Sequence, residues 1–176
     1  MGIVTVVAGC KSAPPLSQDQ ALQMIQAKYD ATPAVGANIL VNNDAMIQGA
    51  TAKLWSRTTI YPNKYWADFT LTPEGKKAVK LVGGGDVIKW RPDSPTDKKY
   101  SVVMLTVAAN HLKARDVRDI QDVGKTKTAT FTEVVDLTGV PNLLVDIAHN
   151  PGNQLSTTRQ ADFVQDGDAW KLQSIE

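Results

Sequence analysis

Residues 161–172 read ADFVQDGDAWKL, and this stretch decides the reading of the fold. Asp166-Gly167 is a favoured pair for a two-residue type I′ hairpin turn. Closing the chain there sets Gln165 opposite Asp168, Val164 opposite Ala169 and Phe163 opposite Trp170. Asp162 then meets Lys171, and Ala161 meets Leu172. An aliphatic pair, an aromatic pair and an opposite-charge pair arise together, each contributing about 0.2–1 kcal/mol. The agreement between turn chemistry and cross-strand pairing supports this register. The C-terminus is therefore expected to be a β-hairpin with Phe163 and Trp170 on its buried side.

Upstream, Ala129, Phe131, Val135 and Leu137 share one face of an expected strand over 127–137, with Gly124-Lys125 turning into it. Residues 112–123 break strict alternation, because Leu112 and Ala114 share one parity and Val117 takes the other. A β-bulge near Arg115-Asp116 restores the register and is favoured. The rival is a helix, since Ala114, Val117, Ile120 and Val123 recur every third residue. Residues 100–109 are nearly continuously apolar and read as a strand covered on both faces. Residues 86–91 and the alternating Tyr65, Ala67, Phe69 and Leu71 read as two further strands. Between them, Thr72-Pro73-Glu74 starts a short helix, with Lys76, Lys77 and Lys80 in its later turns and Gly83-Gly84-Gly85 ending it. A second helix is expected around 43–55. Ser17 and Gln20 fit a capping box, and Leu22, Ile25 and Tyr29 recur at helical spacing, so a helix is expected over 18–30.

The order is a helix first, then an antiparallel sheet of long strands, ending in a hairpin, which is α+β. This element order resembles the cystatin-like and NTF2-like architecture, a curved sheet wrapped on an N-terminal helix. The resemblance implies a cone-shaped space between sheet and helix. A length of 176 residues suits one domain, expected over 17–176. A single cysteine excludes an intramolecular disulfide, a cysteine-based zinc site and a cysteine-ligated cluster. No apolar run approaches the roughly 20 residues of a membrane-spanning helix.

That one cysteine lies in the sequence MGIVTVVAGCKSAPP, residues 1–15. Val7-Ala8-Gly9-Cys10 resembles the lipobox of bacterial lipoproteins: an aliphatic residue, two small residues, then the cysteine whose thiol carries the lipid. The resemblance implies that Cys10 is the lipid attachment site and the first mature residue. Residues 1–16 then comprise a truncated signal segment, the lipobox and a tether, with the basic n-region of a full signal peptide lying upstream of Met1. Lys11, rather than Asp, following the cysteine implies the outer membrane. The alternative is a short first β-strand over 3–9 with a buried thiol.

Other candidate constellations have bland explanations. Gly124-Lys125-Thr126 is not a phosphate-binding loop, because Asp119 stands where the motif needs glycine. Gly83-Gly84-Gly85-Asp86 suits a turn. Asp116, Asp119 and Asp122 read as solvated charges beside Arg115 and Arg118, and Asp166 and Asp168 flank a turn rather than a calcium loop. His111, beside Asn110 at a strand end, is a candidate general base, though a strand-end polar role explains it; His149 carries no local signature. Trp55, Trp66, Trp90 and Trp170 are read chiefly as core anchors, with a pocket lining as the alternative.

Charge is segregated along the chain. Residues 51–128 hold fifteen basic and eight acidic residues, and 129–176 hold two and seven. Mutual neutralisation between neighbouring strands is favoured over a basic face for anionic lipid or cell-wall polymer. The net charge of +1 argues against a nucleic-acid partner. The expectation is thus a lipid-anchored cell-envelope protein, at the outer membrane or cell surface, without catalytic residues, metal or cofactor. It would act as a binding or interaction module for an envelope protein or small ligand. The alternatives are a small NTF2-like enzyme and an unanchored soluble protein.

Overall fold

The computed structural model describes residues 14–62, 66–92 and 103–176. The chain divides into two compact units, each discontinuous in sequence. Unit 1 comprises Met1–Ala31, Ala114–Glu133 and Thr158–Glu176, and unit 2 comprises Thr32–Lys113 and Val134–Thr157. The class is α+β.

Unit 1 contains the first helix and most of a four-stranded sheet. Helix α1 (Gln18–Asp30) starts at the expected capping box: the Ser17 hydroxyl accepts from the Gln20 N–H, and the Gln20 side chain accepts from the Ser17 N–H. Its buried face is Ala21, Ile25 and Tyr29. Strands β7 (Leu112–Val123), β8 (Thr126–Val135), β9 (Ser156–Asp166) and β10 (Ala169–Ile175) lie in the order β10-β9-β8-β7. A helix preceding an antiparallel sheet that ends in a hairpin is the arrangement the sequence implied.

The edge strand β7 resolves the ambiguity of its sequence. Asp116 and Asp119 sit in the left-handed region within the strand, at φ 52° and 53°. Each such residue shifts the pleat by one position, so Ala114 and Val117 are both buried although their sequence parity differs. A spacing of three that mimics a helix is here a twice-interrupted strand. Bulges and exposed charges also blunt this edge against pairing with other chains.

The terminal hairpin differs in register from the expectation. The turn centres on Gly167-Asp168, and Ala169 pairs with Asp166, Trp170 with Gln165 and Leu172 with Phe163. Only Gly167 has positive φ, at 66°, the requirement of the first central position of a type II′ turn rather than of both positions of type I′. Glycine at the first position relieves the left-handed strain that type I′ would place on Asp166. The partners slide by two, so Phe163 keeps its buried face but meets Leu172, and Trp170 is only half-buried. A second irregularity between Leu172 and Ser174 brings Ser174 opposite Asp162.

Unit 2 is built from two three-stranded antiparallel sheets. One has the order β1 (Gly36–Val41), β6 (Val103–Ala108), β4 (Val79–Leu81). The other has the order β2 (Trp55–Ile60), β3 (Ala67–Leu71), β5 (Val87–Trp90). Helices α2 (Asn43–Thr51), α3 (Pro73–Ala78) and α4 (Asn142–Ala148) complete it. Ile39, Met46, Trp55, Phe69, Leu105 and Leu144 anchor its core. The helix expected over 43–55 stops at Thr51, and Trp55 begins a strand instead. The Trp55 ring fits against Gly49, and its indole N–H donates to the Met46 carbonyl at 2.8 Å.

Helix α3 ends at Ala78, before the three glycines, because Val79 enters β4 and pairs with Val107. Strand β6 is not covered on both faces: its burial alternates, and Met104 remains 43% exposed. Two of its outer residues, Met104 and Ala108, are apolar and exposed, which gives the run the look of an inner strand. Helix α4 was not anticipated; it starts after Pro141 without a side-chain cap, so it carries no sequence start signal.

Candidate functional site

Cys10 and the rest of the lipobox lie outside the described residues. The first described residue, Pro14, is already engaged: the Trp170 indole N–H donates to its carbonyl at 2.8 Å. Leu16 is buried at 6% exposure. The expected tether over 11–16 therefore loses its last three residues to unit 1. Leucine at 16 supplies an apolar anchor ahead of the capping box, which the prolines on its N-terminal side concealed.

Trp170 stands at the turn end of the sheet, with a depression on either side. One, of about 370 Å³, is lined by Pro14, Gln23, Met24, Ala27, Ala169 and Trp170 among others. The other, of about 600 Å³, is bounded by the β7–β8 turn and the terminal hairpin. Lys127 places its ammonium 5.4 Å from the centre of the Trp170 ring and also pairs with Asp122. Lys171 pairs with Asp166. The residue read as a core anchor is thus a shelf between two surface hollows.

The space between α1 and the sheet is filled. Ile25, Ala129, Phe131, Ala161 and Phe163 are fully buried, and the Tyr29 and Phe131 rings lie 6.3 Å apart. The Tyr29 hydroxyl donates to Glu133 at 2.6 Å, and Arg159 reaches the same carboxylate at 3.3 Å. Burial, reinforced by the adjacent carboxylate, pushes the Tyr29 hydroxyl well above its ordinary pKa. The hydroxyl thus stays protonated and donates to Glu133. Asp162 is likewise held, by Thr128 at 2.7 Å and Ser174 at 3.1 Å. This arrangement closes the sheet face with a tyrosine plug where the resemblance implied an open cone.

In unit 2, His111 lies in the link between β6, which ends at Ala108, and β7, which begins at Leu112, rather than at the end of the apolar strand itself. Its carbonyl accepts from the Asp136 N–H, while its Nδ1 is buried with no hydrogen-bond partner among the described residues. Asp136 is the hub of this corner. Its carboxylate accepts from the Thr138 hydroxyl at 2.6 Å and N–H at 3.1 Å. It also pairs with Lys113 at 3.1 Å. The Thr138 hydroxyl, with help from Lys113, holds its pKa down at about 2. These partners hold a loop; no acid–base pair is formed with the His111 ring.

A second cluster surrounds Arg91, which is 7% exposed. Its guanidinium pairs with Asp68 at 2.6 Å, donates to the Ala67 and Trp90 carbonyls, and lies over the Tyr61 and Trp66 rings at 4.6 and 5.2 Å. This joins the ends of β3 and β5. Only Trp90 and Arg91 adjoin in sequence; Tyr61, Trp66 and Asp68 come from the earlier β2–β3 region, so no local pattern announces the cluster.

The remaining candidates are dispersed. Gly124-Lys125 is a hairpin turn, with φ of 66° at Gly124. Asp116, Asp119 and Asp122 are exposed along β7. His149 caps α4, its Nδ1 lying 2.7 Å from the Val145 carbonyl. No group of three or more potential metal ligands occurs among the described residues. Of the four tryptophans, Trp55 and Trp90 are core, Trp66 stacks on Arg91 and Trp170 forms the shelf. Compared with protein-family models, curated proteins and solved structures, the chain matches none.

Proposed function

We propose that this chain is a lipid-anchored protein of the bacterial cell envelope, attached through Cys10, whose folded part is a non-catalytic binding or interaction module. The observation that carries the reading is the sequence Val7-Ala8-Gly9-Cys10, placed directly before a short run that meets the folded part at Pro14. A lipidated cysteine needs small residues before it, so that a peptidase can close on the backbone, and a linker after it; both are present. Lys11 after Cys10 favours the outer membrane.

The interior of unit 1 supports binding over catalysis. An enzyme of NTF2-like form needs an open cone with a water-shielded acid or base at its base. Phe131, Phe163 and Ile25 occupy that space, and Tyr29 and Asp162 are held in fixed hydrogen bonds. Recognition would therefore use the outer surface, where Trp170 and its two hollows offer a rigid aromatic edge.

The test is metabolic labelling with palmitate in a bacterial host expressing the chain from its genomic start. Incorporation and detergent partitioning are expected, and Cys10→Ala should abolish both. Equal labelling of the Cys10→Ala variant would sink the proposal.

A further inference from the structure

We infer that the turn end of unit 1 rests against the bilayer that holds Cys10, with Trp170 at the lipid–water boundary. The inference rests on the anchored reading above and adds which surface faces the membrane. Reach sets the distance: Pro14 is the fourth residue after Cys10, and four extended residue steps span at most about 14 Å. Pro14 is held by the Trp170 indole N–H, and Leu16 is buried just beyond it. A lipid on Cys10 therefore confines Trp170 to the neighbourhood of the headgroups, whose layer is about 5–8 Å deep on each side of the hydrocarbon.

The composition of that end suits the contact. The half-buried Trp170 ring, the partly exposed Met24 and Val123 at 56% exposure bring apolar surface to it. Lys125 stands exposed in the β7–β8 turn. Tryptophan beside lysine, over apolar side chains, is the pattern of residues that settle at a membrane interface. The other two lysines are neutralised, Lys127 by Asp122 and Lys171 by Asp166. Lys125 and Asp168 remain, one charge of each sign, so the surface carries no net charge. The contact is apolar and does not select anionic lipid.

The opposite end of the same sheet differs. Gln160 and Glu176 exchange two backbone hydrogen bonds there, and Arg159 pairs with Glu133. It serves as the internal control, because β10 runs seven residues between the two ends, about 20 Å or more.

Acylated protein bearing Lys125→Cys or Glu176→Cys, each labelled with a nitroxide, would be placed in vesicles of phosphatidylcholine alone or with phosphatidylglycerol. Acylated Cys10 does not react with the label. The position-125 label should show high collision rates with oxygen and low rates with a water-soluble nickel complex, in both vesicle types. The position-176 label should show the reverse. Equal water exposure at both positions, with Cys10 still acylated, overturns the inference while leaving the anchor intact. Immersion only in vesicles containing phosphatidylglycerol overturns the uncharged contact. Loss of acylation itself refutes the anchored reading.

Discussion

Gly75 shows how one atom can be decisive. A Cβ at this position would stand 1.8 Å from the Leu54 carbonyl oxygen, a backbone atom that cannot rotate away. Gly75→Ala should therefore destabilise the protein by about 2–3 kcal/mol, the upper range for overpacking, measured as a lowered urea midpoint with unchanged slope. Asp136 gives the pH counterpart. Its folded pKa of about 2 lies below the ordinary 3.8, so its contribution is fully present above about pH 4 and is lost as pH falls through 2. Wild type should exceed Asp136→Asn in stability at pH 6, and the gap should close by pH 2 in parallel denaturant titrations. A gap independent of pH would show that the carboxylate's charge contributes nothing.

The terminal hairpin tests the account at the level of elements. Because Leu172, not Trp170, stands opposite Phe163, a double-mutant cycle on Phe163 and Leu172 should give a coupling of about 0.5 kcal/mol or more, and one on Phe163 and Trp170 close to zero. The reverse ranking would restore the type I′ register. In β7, Asp116→Gly should be neutral or stabilising by up to about 1 kcal/mol, and Asp116→Val should cost at least that, since β-branched residues tolerate positive φ poorly. Element types were legible where a local rule acted: the Ser17 capping box, Thr72-Pro73, and a C-terminal hairpin turning at Gly167, while β7 was legible only once a bulge was preferred over its rival helix. Registers and boundaries were not, because they turn on competing placements of the same residues. Gly167 serves either turn type, and tertiary pairing with β6 took Val79 from a helix that its own sequence could have continued. Trp170 was misread as core for a related reason: its true neighbours, Pro14 and Lys127, are distant in sequence.

For the whole molecule, the two units redistribute what the sequence segregates. Unit 1 holds eight basic and ten acidic residues and unit 2 eleven and eight, so the strong charge bias along the chain largely cancels within each unit. Neither unit then offers a strong electrostatic pull toward an anionic surface, so the proposed attachment rests on the lipid at Cys10 rather than on charge. The folded part adds a shelf at the point where the chain leaves toward Cys10. The most direct measurement is the mass of the N-terminal peptide of protein recovered from the membrane fraction of a bacterial host. The account predicts a peptide beginning at Cys10 and carrying a diacylglyceryl thioether. A peptide containing residues before Cys10, with a free thiol, would contradict it.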